Sequence, residues 1–232
     1  MHPDGPQRIV NVATGRYRNL PTNYPGGLFL GCGVWSPKGA RLACEGFGPE
    51  SDQSKNGIYT VRSSDGGGVT RLTTAPGGDD FPGSYSPNGK RLVFYRAGDE
   101  PALYVIRSNG SGLSRITPSG FEPAFSGGSW SPRGNRILLA GKSSPAARNA
   151  IYVVRAGGRG LTKISMPGCG TSVGCINPDW SPDGKKFAFD LFDPSAGQSD
   201  VYIANANGKN RVRVTKTSES EGPPSWGARP TR

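Results

Sequence analysis

Trp180-Ser181-Pro182-Asp183-Gly184 decides how this chain is read, because it is one of four copies of a single phrase. Trp35-Ser36-Pro37-Lys38-Gly39, Tyr85-Ser86-Pro87-Asn88-Gly89 and Trp130-Ser131-Pro132-Arg133-Gly134 are the others, and Pro224-Ser225-Trp226 opens a fifth. The aromatics at 35, 85, 130, 180 and 226 follow one another at intervals of 50, 45, 50 and 46 residues. That spacing lies in the range of one propeller blade. Within each phrase Pro presets φ near about −65° and Gly accepts the positive φ that closes a hairpin.

Each copy continues in the same order. Second strands are expected at Arg41 to Cys44, Arg91 to Tyr95, Arg136 to Ala140 and Lys186 to Phe189. Third strands follow at Ile58 to Val61, Leu103 to Ile106, Ile151 to Val154 and Val201 to Ala204, and fourth strands at Val69 to Thr73, Leu113 to Thr117, Leu161 to Ser165 and Val212 to Thr215. All are short and rich in β-branched and aromatic residues, with no 3.6-residue period. Ser64-Asp65-Gly66, Asn109-Gly110, Gly157-Gly158 and Asn207-Gly208 supply the turn between third and fourth strands. The expected fold is an all-β propeller, a single domain over 1–232 with four complete four-stranded blades at 28–76, 77–119, 120–167 and 168–217. Residues 8–20 read as a third and fourth strand and 222–228 as a first strand, so the two ends form a partial fifth blade. Pairing them would hide an open edge. A closed five-bladed ring and a truncated six-bladed ring both fit.

Composition narrows the chemistry. With 36 Gly and 21 Pro in 232 residues, a helical bundle is excluded, since each one inside a helix costs about 1 to 3 kcal/mol. Residues 1–20 are polar and carry Arg8, Arg16 and Arg18, and no window reaches eighteen apolar residues, so neither a membrane span nor a signal-peptide core is expected. His2 is the sole histidine, which removes most imidazole catalysis and His-based metal sites. Gly170-Thr171-Ser172-Val173-Gly174 has the letters of a nucleophile elbow but neither the helix after it nor a histidine base. Asn109-Gly110-Ser111 fits a glycosylation acceptor and is read more simply as a tight turn.

The four cysteines fall into two local pairs. About the Ser36-Pro37-Lys38-Gly39 turn, facing residues have indices summing to about 76, which sets Cys32 opposite Cys44. Cys169 and Cys175 bracket a five-residue loop. Disulfides in an oxidising compartment are the favoured reading, with reduced buried thiols as the alternative. The missing signal-peptide core stands against export.

Blade topology sorts the loops into two faces. One carries only tight turns. The other carries the long connections around Phe47 to Asn56, Ala97 to Pro101, Gly141 to Asn149 and Leu191 to Ser199, with 74–82, 118–128, 166–178 and 217–223. Recognition concentrates in long loops on a rigid scaffold. Acidic residues gather there, Glu50, Asp79, Asp80, Asp99, Glu100 and Glu122 among them, beside Arg148. The net charge of +11 therefore resides on the turn face and in an outer row of Arg71, Arg115, Lys163 and Arg213. That row reads as edge protection rather than nucleic-acid contact, for no aromatic platform is interleaved with it. Asp79-Asp80 could supply two hard oxygens to calcium, short of the six or more needed. The expected partner-binding residues are Asp79, Asp80, Asp99, Glu100, Glu122 and Arg148.

The W-S-P-D-G phrase, the Lys/Arg-led apolar strand, the Ile-Tyr strand and Val69-Thr70-Arg71-Leu72-Thr73 together resemble the TolB-like β-propeller repeat, over residues 28 to 228. That resemblance implies a scaffold used in exported bacterial proteins, a periplasmic or extracellular location, and a ring that is usually six-bladed. The expected function is non-catalytic: a monomeric scaffold in the cell envelope that binds a protein partner through its long-loop face, with no cofactor, metal, nucleic acid or membrane insertion. One alternative is the propeller portion of a larger exported hydrolase or oligopeptidase whose catalytic domain lies elsewhere. An enzyme working through paired carboxylates is another.

Overall fold

The computed structural model describes residues 7–49, 52–75 and 78–226; His2, Glu50, Pro76 and the last two residues of 222–228 lie outside them. A hairpin of β1 (Arg8–Val10) and β2 (Tyr17–Asn19) comes first. Four antiparallel sheets follow, each in chain order. The first holds β3 (Phe29–Trp35), β4 (Arg41–Phe47), β5 (Gly57–Arg62) and β6 (Thr70–Arg71), and the second β7 (Asp80–Tyr85), β8 (Arg91–Arg96), β9 (Ala102–Arg107) and β10 (Ser114–Arg115). In the third, β11 (Glu122–Pro123) and β12 (Ser129–Trp130) both pair with β13 (Arg136–Lys142), which continues to β14 (Ala150–Arg155) and β15 (Thr162–Lys163). The fourth holds β16 (Gly174–Trp180), β17 (Lys186–Asp193), β18 (Gln198–Asn205) and β19 (Val212–Arg213). A 3-10 turn at Gln53–Lys55 is the only helical element among the described residues.

The repeated phrase works as its chemistry requires. In all four copies the Ser amide donates to the carbonyl of the first residue of the second strand, at 2.8 to 2.9 Å. That strand residue's amide donates back to the Ser Oγ, at 3.0 Å for Arg41, 2.9 Å for Arg91, 3.2 Å for Arg136 and 3.0 Å for Lys186. The closing Gly39, Gly89, Gly134 and Gly184 have φ of 69°, 70°, 72° and 67°, a region that favours glycine.

Neighbouring blades interlock through the same phrases. A side chain at Gly89, Gly134 or Gly184 would touch Pro37, Pro87 or Pro132 of the preceding blade. A second fastening runs along the inner strands. The Trp130 amide donates to Ser84 Oγ at 2.9 Å, the Trp180 amide to Ser129 Oγ at 3.3 Å and the Trp226 amide to Asp179 Oδ2 at 2.8 Å. Apolar side chains are buried between sheets, so there is no single central core. Leu42 and Val61 pack against Leu20 of the N-terminal hairpin, Ala43 and Ile58 against Leu92 and Phe94, and Leu139 and Ile151 against Phe187 and Phe189.

The ends follow the repeat. Gly66 lies against Pro21 as Gly110 lies against Leu72, Gly158 against Ile116 and Gly208 against Ile164, which puts β1 and β2 where a preceding blade has its third and fourth strands. Trp226 takes the inner-strand position beyond the fourth blade. Among the described residues no ladder pairs 222–226 with β1. The outermost strands β6, β10, β15 and β19 are two residues each, shorter than expected. Side chains extend their reach: Thr73 Oγ1 accepts from the Ile58 amide at 2.8 Å, Thr117 Oγ1 from the Leu103 amide at 3.1 Å and Thr215 Oγ1 from the Val201 amide at 2.9 Å.

Candidate functional site

Antiparallel order sends the start of each first strand, the end of each second and the start of each third to one end of the molecule, where the long connections emerge. At this end Asp80 pairs across the ladder with Arg96. The Asp80 carboxylate has no exposed surface and is held by Arg96 Nε at 2.6 Å and Nη2 at 2.7 Å. Asp80, expected as a partner contact, is therefore a structural anion, and a guanidinium occupies the oxygens that calcium would need. Asp79 Oδ1 accepts from Asn56 Nδ2 at 2.8 Å. Glu100 is joined to Arg115 at 3.0 Å and Glu122 to Lys142 at 3.2 Å. Asp99 and Arg148 are exposed. The acidic face is thus partly neutralised by its own cations.

The three arginines of the outer basic row are committed to the fold as well. Arg71 donates to the carbonyls of Thr73, Asn56 and Ser54 at 2.7 to 2.8 Å. Arg115 reaches the Thr117 carbonyl at 2.9 Å, and Arg213 pairs with Asp200 at 2.6 Å. Cys32 and Cys44 face each other in the β3–β4 register with Cα atoms 3.9 Å apart and are bridged; Cys169 and Cys175 are bridged at 5.8 Å.

A cavity of about 390 Å³ opens between the inner strands of the first three blades, lined by Gln7, Gly31 to Val34, Glu45, Phe81, Pro82 and Phe125 to Gly127. It exists because of one rung. Glu45, Tyr95, Ala140 and Asp190 hold equivalent places in the four second strands, facing Ile58, Leu103, Ile151 and Val201 of the third. Across the inner strand Tyr95 faces Phe81, whereas Glu45 faces Gly31, whose missing side chain leaves room for the carboxylate. Gln7 closes a wall by accepting from the Cys32 amide at 2.8 Å, and the Cys32–Cys44 bridge pins the floor.

An aromatic cluster stands at the cavity rim. Phe81 lies 4.3 Å from Phe125, 6.3 Å from Tyr95 and 6.4 Å from Phe47, centroid to centroid. Phe125 sits in the excursion between β11 and β12 and is 65% exposed. Glu45 has neither a hydrogen bond nor an ion pair among the described residues, and burial, then the neighbouring Asp79 carboxylate, pushes its carboxyl up against an opposing pull from the amino-terminal charge. Sequence reasoning missed Glu45, Phe81 and Phe125. The one available signal was Glu45, a charge inside an otherwise apolar second strand.

No family model matches the chain. Its structure superposes on a putative TolB from Agrobacterium tumefaciens with a TM-score of 0.72, at 20% identity over 89% of this chain and 72% of that one. The fold is a TolB-like β-propeller. TolB from Acinetobacter baumannii gives 0.69 at 20% identity, over 92% of this chain and 50% of that one. A prolyl endopeptidase gives 0.55 at 17% identity, covering 82% of this chain but 30% of the endopeptidase. In sequence, an uncharacterized protein of Agrobacterium fabrum is 28% identical over 192 residues, 76% of this chain. The chain spans 57% of that relative's length. No helix among the described residues is long and apolar enough to cross a membrane.

Proposed function

We propose that this TolB-like propeller is a non-catalytic, monomeric scaffold that binds a protein partner through its long-loop face, outside the cytoplasm. The observation that carries the reading is the coincidence, at one end of a rigid stack of ladders, of the long connections, the exposed Phe125 and the open cavity. Loops held in place by a stiff frame lose little ordering entropy on association. Two disulfides fit an oxidising compartment. The opposite, turn-bearing face is made of tight Ser-Pro-x-Gly hairpins. The outer Arg residues are spent on the protein's own carbonyls and carboxylates, which argues against a polyanion partner. The hydrolase reading has weaker support, since the endopeptidase likeness covers only 30% of that chain.

Photo-cross-linking amino acids placed at Asp99, at Phe125 and, on the turn face, at Arg133 test this. Adducts with one discrete protein from positions 99 and 125, and none from 133, are expected in cell-envelope preparations. Adducts only from 133, or from no position, would overturn it.

A further inference from the structure

We infer that the Glu45 cavity is a binding pocket for a lysine or arginine side chain presented by an extended segment of the partner protein. The inference rests on the long-loop face being the recognition face and adds the chemistry of its central contact. Three features of the pocket converge on a cation carried by an apolar stem. The first is a half-buried carboxylate with no hydrogen bond or ion pair among the described residues, whereas Asp80 is held by Arg96, Glu100 by Arg115, Glu122 by Lys142 and Asp79 by Asn56, and Asp99 lies in open solvent. Of these acids Glu45 is the one that lines the cavity. A carboxylate partly withdrawn from water is stabilised by an incoming cation.

The second feature is the aromatic rim. Phe81 and Phe125 meet edge to face at 4.3 Å, and such rings attract a cation over their faces while packing against methylenes. The third is size and shape: about 390 Å³, open to solvent on one side, accepts a long unbranched side chain while its backbone stays at the surface. An aliphatic guest satisfies the rings and leaves the carboxylate unpaired, whereas an acidic guest is repelled by it. Charge complementarity thus selects among otherwise similar stems. Gly127 is pressed against Gly83 at the back of the pocket, so the wall behind the rings is backbone against backbone.

The probe is the capped pentapeptide acetyl-Ala-Ala-Lys-Ala-Ala-amide, titrated into isotopically labelled full chain with amide shifts as the readout, beside versions carrying norleucine or glutamate at the centre. Saturable shifts confined to Gly31, Glu45, Phe81 and Gly127 are expected for the lysine peptide. Kd should rise by about tenfold or more for norleucine, with no binding of the glutamate version. Glu45→Gln should lose about tenfold, and Phe125→Ala, which removes a ring 65% exposed, about threefold. Equal affinity for norleucine, full affinity in Glu45→Gln with an unchanged spectrum, or no lysine-peptide binding overturns the inference. If position 99 still cross-links a partner in that case, the face reading survives without this pocket; if positions 99 and 125 are also silent, both fall.

Discussion

Asp190 shows how one carboxylate sets a pH dependence for the whole fold. It is 3% exposed in β17; its Oδ2 accepts from Asn177 Nδ2 at 2.7 Å and its Oδ1 has no partner. Burial pushes its carboxyl up from the ordinary 3.8 to about 6, with the Asn177 bond opposing. A carboxyl with a raised folded pKa takes up protons more readily in the folded state. Stability from this group is therefore gained as pH falls from 6 toward 3.8, and the full cost of the buried anion is carried above 6. At about 1.4 kcal/mol per pKa unit, that cost is on the order of 3 kcal/mol. Asp190→Asn keeps the acceptor for Asn177 and removes the charge. Urea unfolding should show it more stable than the parent by about 2 kcal/mol near neutral pH and barely different near pH 4; the same difference at both would refute the assignment.

At the scale of strands, the close approach of blades is set by backbone. A methyl group on Gly83 would meet the Gly127 carbonyl oxygen at 2.0 Å and its carbon at 2.2 Å, with no flexible side chain to yield. Gly33, on the equivalent strand of the first blade, has nothing within 4 Å. Gly83→Ala should therefore cost about 2 kcal/mol or more, and Gly33→Ala less than about 0.5 kcal/mol, in the same denaturation assay. Equal costs would mean that the second and third blades are not in contact at this point. Much of this level was legible from sequence. Ser-Pro-x-Gly fixed each first hairpin, and counting from that turn placed Cys32 opposite Cys44, as found. What could not be read was side-chain direction along the inner strands. Each of β3, β7 and β16 shifts register beside its partner, between Cys32 and Val34, Pro82 and Ser84, and Ile176 and Asp179. An extra residue there reverses which side chains face inward. Adjacent acids such as Asp79 and Asp80 then cannot be sorted into surface and interior by alternation alone, and the pocket of Glu45, Phe81 and Phe125 draws on three blades that no local pattern connects.

For the molecule as a whole, burial between neighbours means that the middle sheets are covered on both sides and the first hairpin on one. Val10, Val12 and Tyr17 are 53%, 98% and 58% exposed, while Ile137, Leu138 and Leu139 of β13 are fully covered. Amide hydrogen exchange should accordingly be slowest in β13 and β14 and fastest, among strands, in β1 and β2. Uniform protection across all sheets would show a single cooperative unit instead. The inner-strand fastenings add a local asymmetry. Ser84, Ser129 and Asp179 each hook the next blade, but the matching residue of the first blade is Val34, which has no side-chain atom to offer Tyr85. Val34 also lines the cavity. The first and second blades are joined instead by the packing of Ala43 and Ile58 on Leu92 and Phe94 and by the Asn56–Asp79 hydrogen bond. A single aliphatic residue in a polar series thereby leaves the inner side of this seam, beside the cavity, to oily contact where the other seams carry a tether.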